Sequence, residues 1–371
     1  IEWRGEKINY LAEYDLLRKN NNDYSLSYNT DDMLSDLYSL VTSKEIFKCL
    51  NTYPDLEYNS MQELIRKRYH IENILFGSGS EELIFRINRE LLRNRRVAVM
   101  VPIFYRVTET LDNSLVYLDI NDYMKDGEFR KDEFIKSIEE ERINAVWIAN
   151  PNSIYGIAIS RVALLDVIKN CSKVLFIIDE VSIDFMDQTE KYELIQEAEK
   201  NPNLIVIKSM SKYYGVPGLR LGMLSANEKF LDKLKEASCV YPVSNLSYLY
   251  MKKMLENDDK FLLMKRKIQN NAQKLKKLLE DTPINMLEPK TNTVFLWWEY
   301  NVDLWELLAK YNIISFSLKE EEHVHWKNAV RLTIHSGESF GYLYEQIKKI
   351  KKIEFNEEKI IYYRFRRDII E

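Results

Sequence analysis

The chain has 371 residues, 46% of them apolar and 30% charged, with a formal net charge of -5 spread over interspersed acids and bases. That length and apolar content support a substantial core, enough for one large domain and a smaller one, and exclude a disordered chain. The charge balance offers no basic stripe for nucleic acid, and the longest apolar runs, 97–105 and 174–178, are far too short to span a bilayer.

Cys49, Cys171 and Cys239 lie far apart, with no Cys-x-x-Cys pair and no neighbouring histidine cluster. Neither a disulfide framework nor a metal site is expected, and a reducing cytoplasm fits. No basic-then-apolar leader opens the sequence, and neither a membrane nor a nucleic acid is an expected partner. The first residue is Ile1 rather than methionine, which suggests that something ahead of it has been removed.

Residues 1 to about 35 are polar and tyrosine-rich, with Asn20-Asn21-Asn22-Asp23, and read as an extended arm of the kind that dresses a binding site. Helical spacing of apolar residues predicts one helix over 33–50 and another over 60–69, separated by Asn51-Thr52-Tyr53-Pro54-Asp55. Next, Ile74-Leu75-Phe76-Gly77-Ser78-Gly79-Ser80-Glu81-Glu82 reads as a strand, a glycine turn and a helix start. The first amides of such a helix point at whatever anion lies in front of them, so the Ser80 hydroxyl and the Ser80 and Glu81 amides are candidates for a phosphate contact.

Short apolar runs at 97–101, 115–118, 145–149, 174–178, 204–207 and 221–224 then alternate with helical segments. They imply an α/β fold with a largely parallel sheet covered on both faces, whose sites lie at the strand ends. At those ends stand Val101-Pro102-Ile103-Phe104-Tyr105, Asn150-Pro151-Asn152-Ser153-Ile154-Tyr155-Gly156 and Ile178-Asp179-Glu180-Val181-Ser182-Ile183-Asp184-Phe185. After the run at 204–207 comes Ser209-Met210-Ser211-Lys212-Tyr213-Tyr214-Gly215-Val216-Pro217-Gly218-Leu219-Arg220-Leu221-Gly222. An ε-amine desolvated beside other cations loses its proton readily and can form a Schiff base with an aldehyde. Ser209, Ser211 and Arg220 add two hydroxyls and a planar fork of donors suited to a phosphate monoester. Together they describe a seat for pyridoxal 5'-phosphate on Lys212.

Beyond residue 224 the chain turns helical through 230–237, 246–255 and 260–279, the last with a charged, solvated face. It then mixes strands at 294–298 and 313–316 with a helix over 302–311, as a small α+β domain would. The alternating run Val330-Arg331-Leu332-Thr333-Ile334-His335-Ser336-Gly337 closes this part as a further strand.

The pattern Ser-x-Ser-Lys-x-x-Gly-x-x-Gly-x-Arg-x-Gly over 209–222 resembles the cofactor-lysine segment of the class I and II aminotransferases, the fold type I pyridoxal-phosphate enzymes. Within them it looks most like the branch of histidinol-phosphate aminotransferase and threonine-phosphate decarboxylase. Six motifs follow in the family's order between about Tyr24 and Glu338. The resemblance implies a large domain over 46–245, with a mostly parallel seven-stranded sheet between helices. It also implies a small α+β domain over 246–371, and an arm and helix over 1–45 packed near the small domain.

The same resemblance assigns roles. Lys212 carries the cofactor and moves the substrate proton, and Asp179 keeps the pyridine nitrogen protonated. Phe104 stacks on the ring, or Tyr105 if the register slips by one, and Arg331 grips the substrate α-carboxylate. Ser80, Glu81, Ser209, Ser211 and Arg220 hold the phosphate, joined by Tyr53 from the partner in a homodimer. The family's asparagine and tyrosine partners of the cofactor's phenolic oxygen are replaced by Ser153 and Ser182, so that contact falls to Asn152, to Ser153 or to water. An arginine that the branch carries near 313–316 for histidinol phosphate is not visible in that register, which counts against that substrate. The expected activity is transfer of an amino group from an amino-acid donor to a small oxo acceptor, phosphorylated or phosphonate acceptors included. A decarboxylase of the threonine-phosphate type is the runner-up, and a non-catalytic binding protein that keeps the fold is the alternative of another class.

Overall fold

The computed structural model describes residues 23–25, 40–111, 114–300, 302–319, 326 and 328–351. Most of the expected arm and the first part of the 33–50 helix lie outside them. Helix α1, Ser43–Leu50, starts on a capping box in which the Thr42 hydroxyl accepts from the Glu45 amide and the Glu45 carboxylate accepts from the Thr42 amide. Residues 51–58, with Tyr53, lead to α2, Asn59–Tyr69, which buries Met61, Ile65 and Tyr69 at i, i+4 spacing.

There follow β1 (Ile74–Ser78), α3 (Gly79–Leu91), β2 (Val97–Val101), α4 (Arg106–Glu109) and β3 (Leu115–Asp119). A small hairpin of β4 (Met124–Lys125) and β5 (Glu128–Phe129) precedes α5 (Lys131–Glu140), β6 (Ala145–Ala149) and α6 (Arg161–Asn170). Then come β7 (Leu175–Asp179), β8 (Leu204–Ser209) and β9 (Leu221–Ala226). Seven of these strands form one sheet in the order β1-β9-β8-β7-β6-β2-β3, in which β9 runs antiparallel to its neighbours and the other pairs are parallel.

Successive residues of a strand point to opposite faces, and the two apolar layers follow that alternation. Val146, Ile148, Phe176, Ile178 and Val206 join one layer, while Ala145, Trp147, Leu175, Ile177, Ile205 and Ile207 join the other. Burial on both faces is why these strands are apolar throughout. The alternation also sends Asp179 and Ser209 to one face at the strand ends, and Glu180 and Lys208 to the other.

Beyond β9, helices α7 (Glu228–Glu236), α8 (Asn245–Glu256) and α9 (Asp258–Leu279) lead to a second, antiparallel sheet. Its order is β10-β11-β13-β12, built from β10 (Asn285–Met286), β11 (Thr293–Trp297), β12 (Phe316–Ser317) and β13 (Ala329–Thr333). Helix α10 (Leu304–Lys310) precedes β12, and α11 (Glu338–Lys351) follows β13 and packs on α9.

Three details differ from the sequence expectations. The 313–316 strand contracts to β12 because Ile314 instead bridges Asp23, and its carbonyl accepts from the Tyr24 amide at 2.8 Å, so the arm takes that stretch of backbone. The run 330–337 ends as a strand at Thr333, and β13 is an interior strand buried on both faces except at Arg331. The β4–β5 hairpin was absent from the predicted elements, although Asp126-Gly127 at its tip, with φ of 52° and 82°, is a two-residue hairpin signal. Among the described residues no helix is long and apolar enough to cross a membrane.

Candidate active site

The strand register draws the separate motifs into one row. Ser78 pairs with Leu221, Ser209 with Gly222, Asp179 with Ile207 and Ala149, and Val101 with Asp119, all at the same end of the sheet. The first turn of α3 at this end carries Ser80 and Glu81, and the loops leaving it carry Ser211 and Lys212, Ser182, Asn152 and Ser153, and Phe104. Such a row, at the carboxyl ends of parallel strands, is where this architecture places ligands.

At one end of the row two glycines permit a close nest. Gly79 has φ of +80°, and a Cβ there would stand 2.6 Å from Arg220 Nη2. A Cβ on Gly222 would fall 2.4 Å from the Gly79 carbonyl carbon and the Ser80 nitrogen. The first turn of α3, the start of β9 and the Arg220 guanidinium can therefore lie in contact only because both side chains are missing. Arg220 itself adopts a left-handed backbone, φ 49°. The Glu81 carboxylate lies 3.6 Å from Arg220 Nη2 and accepts from Arg106 Nε at 2.8 Å. Ser209 and Ser211 are buried, with the Ser209 hydroxyl donating to the Ser211 hydroxyl at 3.0 Å and accepting from the Ser211 amide at 3.1 Å.

Lys212 follows these serines. Burial lowers its pKa to about 8, helped by the Arg331 and Arg220 cations and opposed by Asp179. Burial raises Asp179 to about 6, against the Val181 amide, which donates to Oδ1 at 2.9 Å, and the Lys212 charge. An amine and a carboxylate are thus both moved toward neutrality by burial at the end of the sheet.

Of the remaining candidates, Arg331 is close enough for its charge to lower the Lys212 pKa. Asn152 is buried, and its side chain donates to the Pro102 carbonyl at 2.7 Å and accepts from the Ile154 and Tyr155 amides at 3.1 Å, so it ties two of the loops together. The Ser153 carbonyl accepts from the Thr293 hydroxyl, linking this loop to the second sheet. Ser182 is buried just past Asp179. Phe104 and Tyr105 are both partly exposed and meet edge to face at 5.0 Å. Arg331 donates to the Ser25 carbonyl and lays its guanidinium over the Phe316 ring, 4.6 Å from the centroid. Tyr53 is 82% exposed and stacks on Tyr241 at 5.1 Å.

Two groups of residues here escaped sequence reasoning. Arg106 joins the rim of the glycine nest through Glu81. On the reverse face, Lys208 is 2% exposed, with Nζ 2.8 Å from Glu193, 3.7 Å from Glu180, 3.8 Å from Asp184 and 4.8 Å from the Tyr69 ring centroid. Burial, with Glu193 and Asp184 close by, pushes the Glu180 carboxyl well above the usual range, while the three acids keep Lys208 cationic despite its burial. The available signal was a lysine continuing the apolar run of 204–207, and two consecutive acids at a buried strand end, which cannot both face the site.

The donor set fits a phosphorylated aldehyde. The nest offers helix amides, a guanidinium and buried hydroxyls, the amine is poised for an imine, and the buried carboxylate suits a protonated ring nitrogen. In class, then, the molecule is a fold type I pyridoxal-phosphate enzyme. Comparison with known proteins takes the assignment one step further. The family model for aminotransferases of class I and II matches residues 19–347, and the chain belongs to that family. A histidinol-phosphate aminotransferase of Thermoanaerobacter sp. is 25% identical over 329 residues, which cover 86% of this chain and 89% of the relative. The crystal structure of the histidinol-phosphate aminotransferase of Clostridium acetobutylicum superposes with a TM-score of 0.76 at 22% identity, over 89% of this chain and 98% of its own. The L-threonine-O-3-phosphate decarboxylase of Porphyromonas gingivalis gives 0.72 at 19% identity, over 89% and 99%. A histidinol-phosphate aminotransferase of Sinorhizobium meliloti, solved with pyridoxal 5'-phosphate, gives 0.75 at 15% identity, over 90% and 89%. The protein is a pyridoxal-phosphate-dependent aminotransferase.

Proposed function

We propose that the enzyme exchanges amino groups between an α-amino acid and a small oxo acid, with Lys212 as its working base and Asp179 and Arg331 as its fixed charges. The observation that carries this reading is the register that brings Asp179 and the Ser209–Lys212 segment to one end of the sheet, with burial moving Lys212 down to about 8 and Asp179 up to about 6. When bound, the cofactor supplies an electron sink for the carbon that bears the amino group. Lys212 Nζ, partly unprotonated near neutral pH, would hold the cofactor through its aldehyde and would serve as the base for the proton on the substrate α-carbon. The Asp179 carboxylate, fixed by the Val181 amide, holds the proton of the ring nitrogen. The Arg331 guanidinium, steadied by the Ser25 carbonyl and the Phe316 ring, receives the α-carboxylate as a planar fork.

The Ser80 hydroxyl, the Ser80 and Glu81 amides, Ser209, Ser211 and Arg220 hold the phosphate in this reading, and Phe104 or Tyr105 covers the ring. Ser153, Ser182 and the second amide hydrogen of Asn152, whose first goes to the Pro102 carbonyl, are the protein donors left for the phenolic oxygen, with water as the alternative. The relatives' names point to histidinol phosphate. Here the residues opposite Arg331 on its two neighbouring strands are Phe295 and Phe316, which supports a substrate without a second anion at that place.

The working unit in this proposal is a homodimer in the cytoplasm, with Tyr53 reaching the partner's phosphate. Phe47, Leu50, Tyr53, Leu56 and Val240 are 61 to 82% exposed, an apolar surface that favours a partner. The proposed division into domains at 245/246 follows the two sheets, the first ending at Ala226 and the second starting at Asn285. Adding glutamate to the cofactor-loaded protein should convert the cofactor spectrum to that of its amine form with release of 2-oxoglutarate. If glutamate is inert, a panel of amino acids and phosphorylated amines extends the search. Release of carbon dioxide without that spectral conversion would replace transamination by decarboxylation.

A further inference from the structure

A row of alternating charges runs along the rim of the glycine nest. Glu81 Oε2 lies 3.6 Å from Arg220 Nη2, Glu81 Oε1 accepts from Arg106 Nε at 2.8 Å, and Glu109 Oε2 accepts from Arg106 Nη1 at 3.0 Å. The four side chains come from the residue just before β9, the first turn of α3 and the two ends of α4. They are 20 to 47% exposed, so no single pair contributes much stability. Their position matters more. The Arg220 guanidinium sits where a Cβ on Gly79 would touch it, beside the leading amides of α3, where an anion is best received. Glu81 is therefore a fixed negative charge at the edge of an anion site, and it competes with any phosphate for Arg220. Of its two cations, Arg106 is the nearer, while Arg106 is itself shared with Glu109.

We propose that Arg106 is a positioning residue for the cofactor phosphate, holding the Glu81 carboxylate aside so that Arg220 is free to grip a dianion at the start of α3. This rests on the reading that pyridoxal phosphate occupies the site. It gives opposite signs to two neighbouring substitutions. Glu81→Gln removes the competitor and leaves both guanidinium groups to the phosphate, so affinity rises. Arg106→Gln turns Glu81 wholly onto Arg220, so affinity falls. A Glu81 that merely propped Arg220 in place would give a loss in the first case.

The test is an equilibrium titration of the cofactor-free protein with pyridoxal 5'-phosphate and with pyridoxal, which has the same aldehyde ring and no phosphate. The ratio of the two Kd values isolates the phosphate. Preference for the phosphorylated form should rise about two- to fivefold in Glu81→Gln and fall by a similar factor in Arg106→Gln, with Arg106→Lys largely restored. The double variant should follow Glu81→Gln, because Arg106 acts through Glu81. Both effects should shrink between 0.1 and 1 M salt, where the screening length drops to about 3 Å. A lowered preference in Glu81→Gln, or an unchanged one in Arg106→Gln, overturns this inference and leaves the cofactor assignment standing. A wild-type protein that does not prefer the phosphorylated aldehyde overturns the cofactor site itself.

Discussion

Lys212 and Asp179 show how much a residue's chemistry depends on its surroundings. In the cofactor-free protein, acylation of Lys212 followed by peptide mass spectrometry should rise with a midpoint near pH 8. Arg331→Ala should move that midpoint upward, since it removes a cation that disfavours the ammonium; a midpoint near 10.5 in the wild type would refute the desolvated lysine. For Asp179 the folded-state pKa, about 6, lies above the ordinary 3.8. The folded chain then binds more protons between those values, and the stability linked to this group is lost as pH rises from about 4 through 6. Asp179→Asn removes that charge, so the cofactor-free variant should match the wild type at pH 4 and exceed it by at most about 3 kcal/mol above pH 6. Melting temperatures at the two pH values decide this, and a pH-independent difference would count against it. On the role proposed for Asp179, the same variant should lose most activity, because an amide cannot hold the ring nitrogen's proton.

Between elements, the close approach of α3 to β9 and the charged cluster behind β7 and β8 set the positions of these residues. Gly222→Ala would place a methyl 2.4 Å from backbone atoms of Gly79 and Ser80, which cannot yield as a flexible side chain would. A loss of about 1 to 3 kcal/mol in urea unfolding is expected, with a larger loss of phosphate-dependent cofactor binding as the helix start is pushed away. Lys208→Met removes the cation shared by Glu180, Asp184 and Glu193. Breaking such a buried set should destabilise by about 3 to 5 kcal/mol at pH 7. Lys208→Arg, which keeps the cation, should lose less; equal losses in the two variants would mean that packing rather than charge is responsible.

For the whole molecule, the exposed apolar surface around Tyr53 and the glycine nest belong together if the sites are shared between two subunits. Losing a hydrogen bond from Tyr53 to a phosphate should cost roughly 1.5 to 3 kcal/mol of cofactor binding, about tenfold to over a hundredfold. Mixing Tyr53→Phe with Lys212→Ala subunits should restore activity, because both lesions fall in one pocket of the heterodimer and the other pocket is unaltered. A protein that remains monomeric and active at assay concentration would exclude the shared site.

The sequence alone determined the fold class, the apolar strands of the large sheet and the cofactor. A parallel sheet buried on both faces has to be built from uninterrupted apolar runs, and the residues that follow each run are bound to emerge at the same end. That is why Asp179, Lys212 and the glycines at 79 and 222 were legible as local motifs. The tertiary structure decided which charges meet. Glu81 with Arg220 and Arg106, Lys208 with Glu193, Arg331 with the Ser25 carbonyl, and Asp23 on Ile314 join distant stretches of chain. Electrostatic coupling and desolvation depend on distance and burial in space, and no spacing along the chain encodes either until the elements have packed.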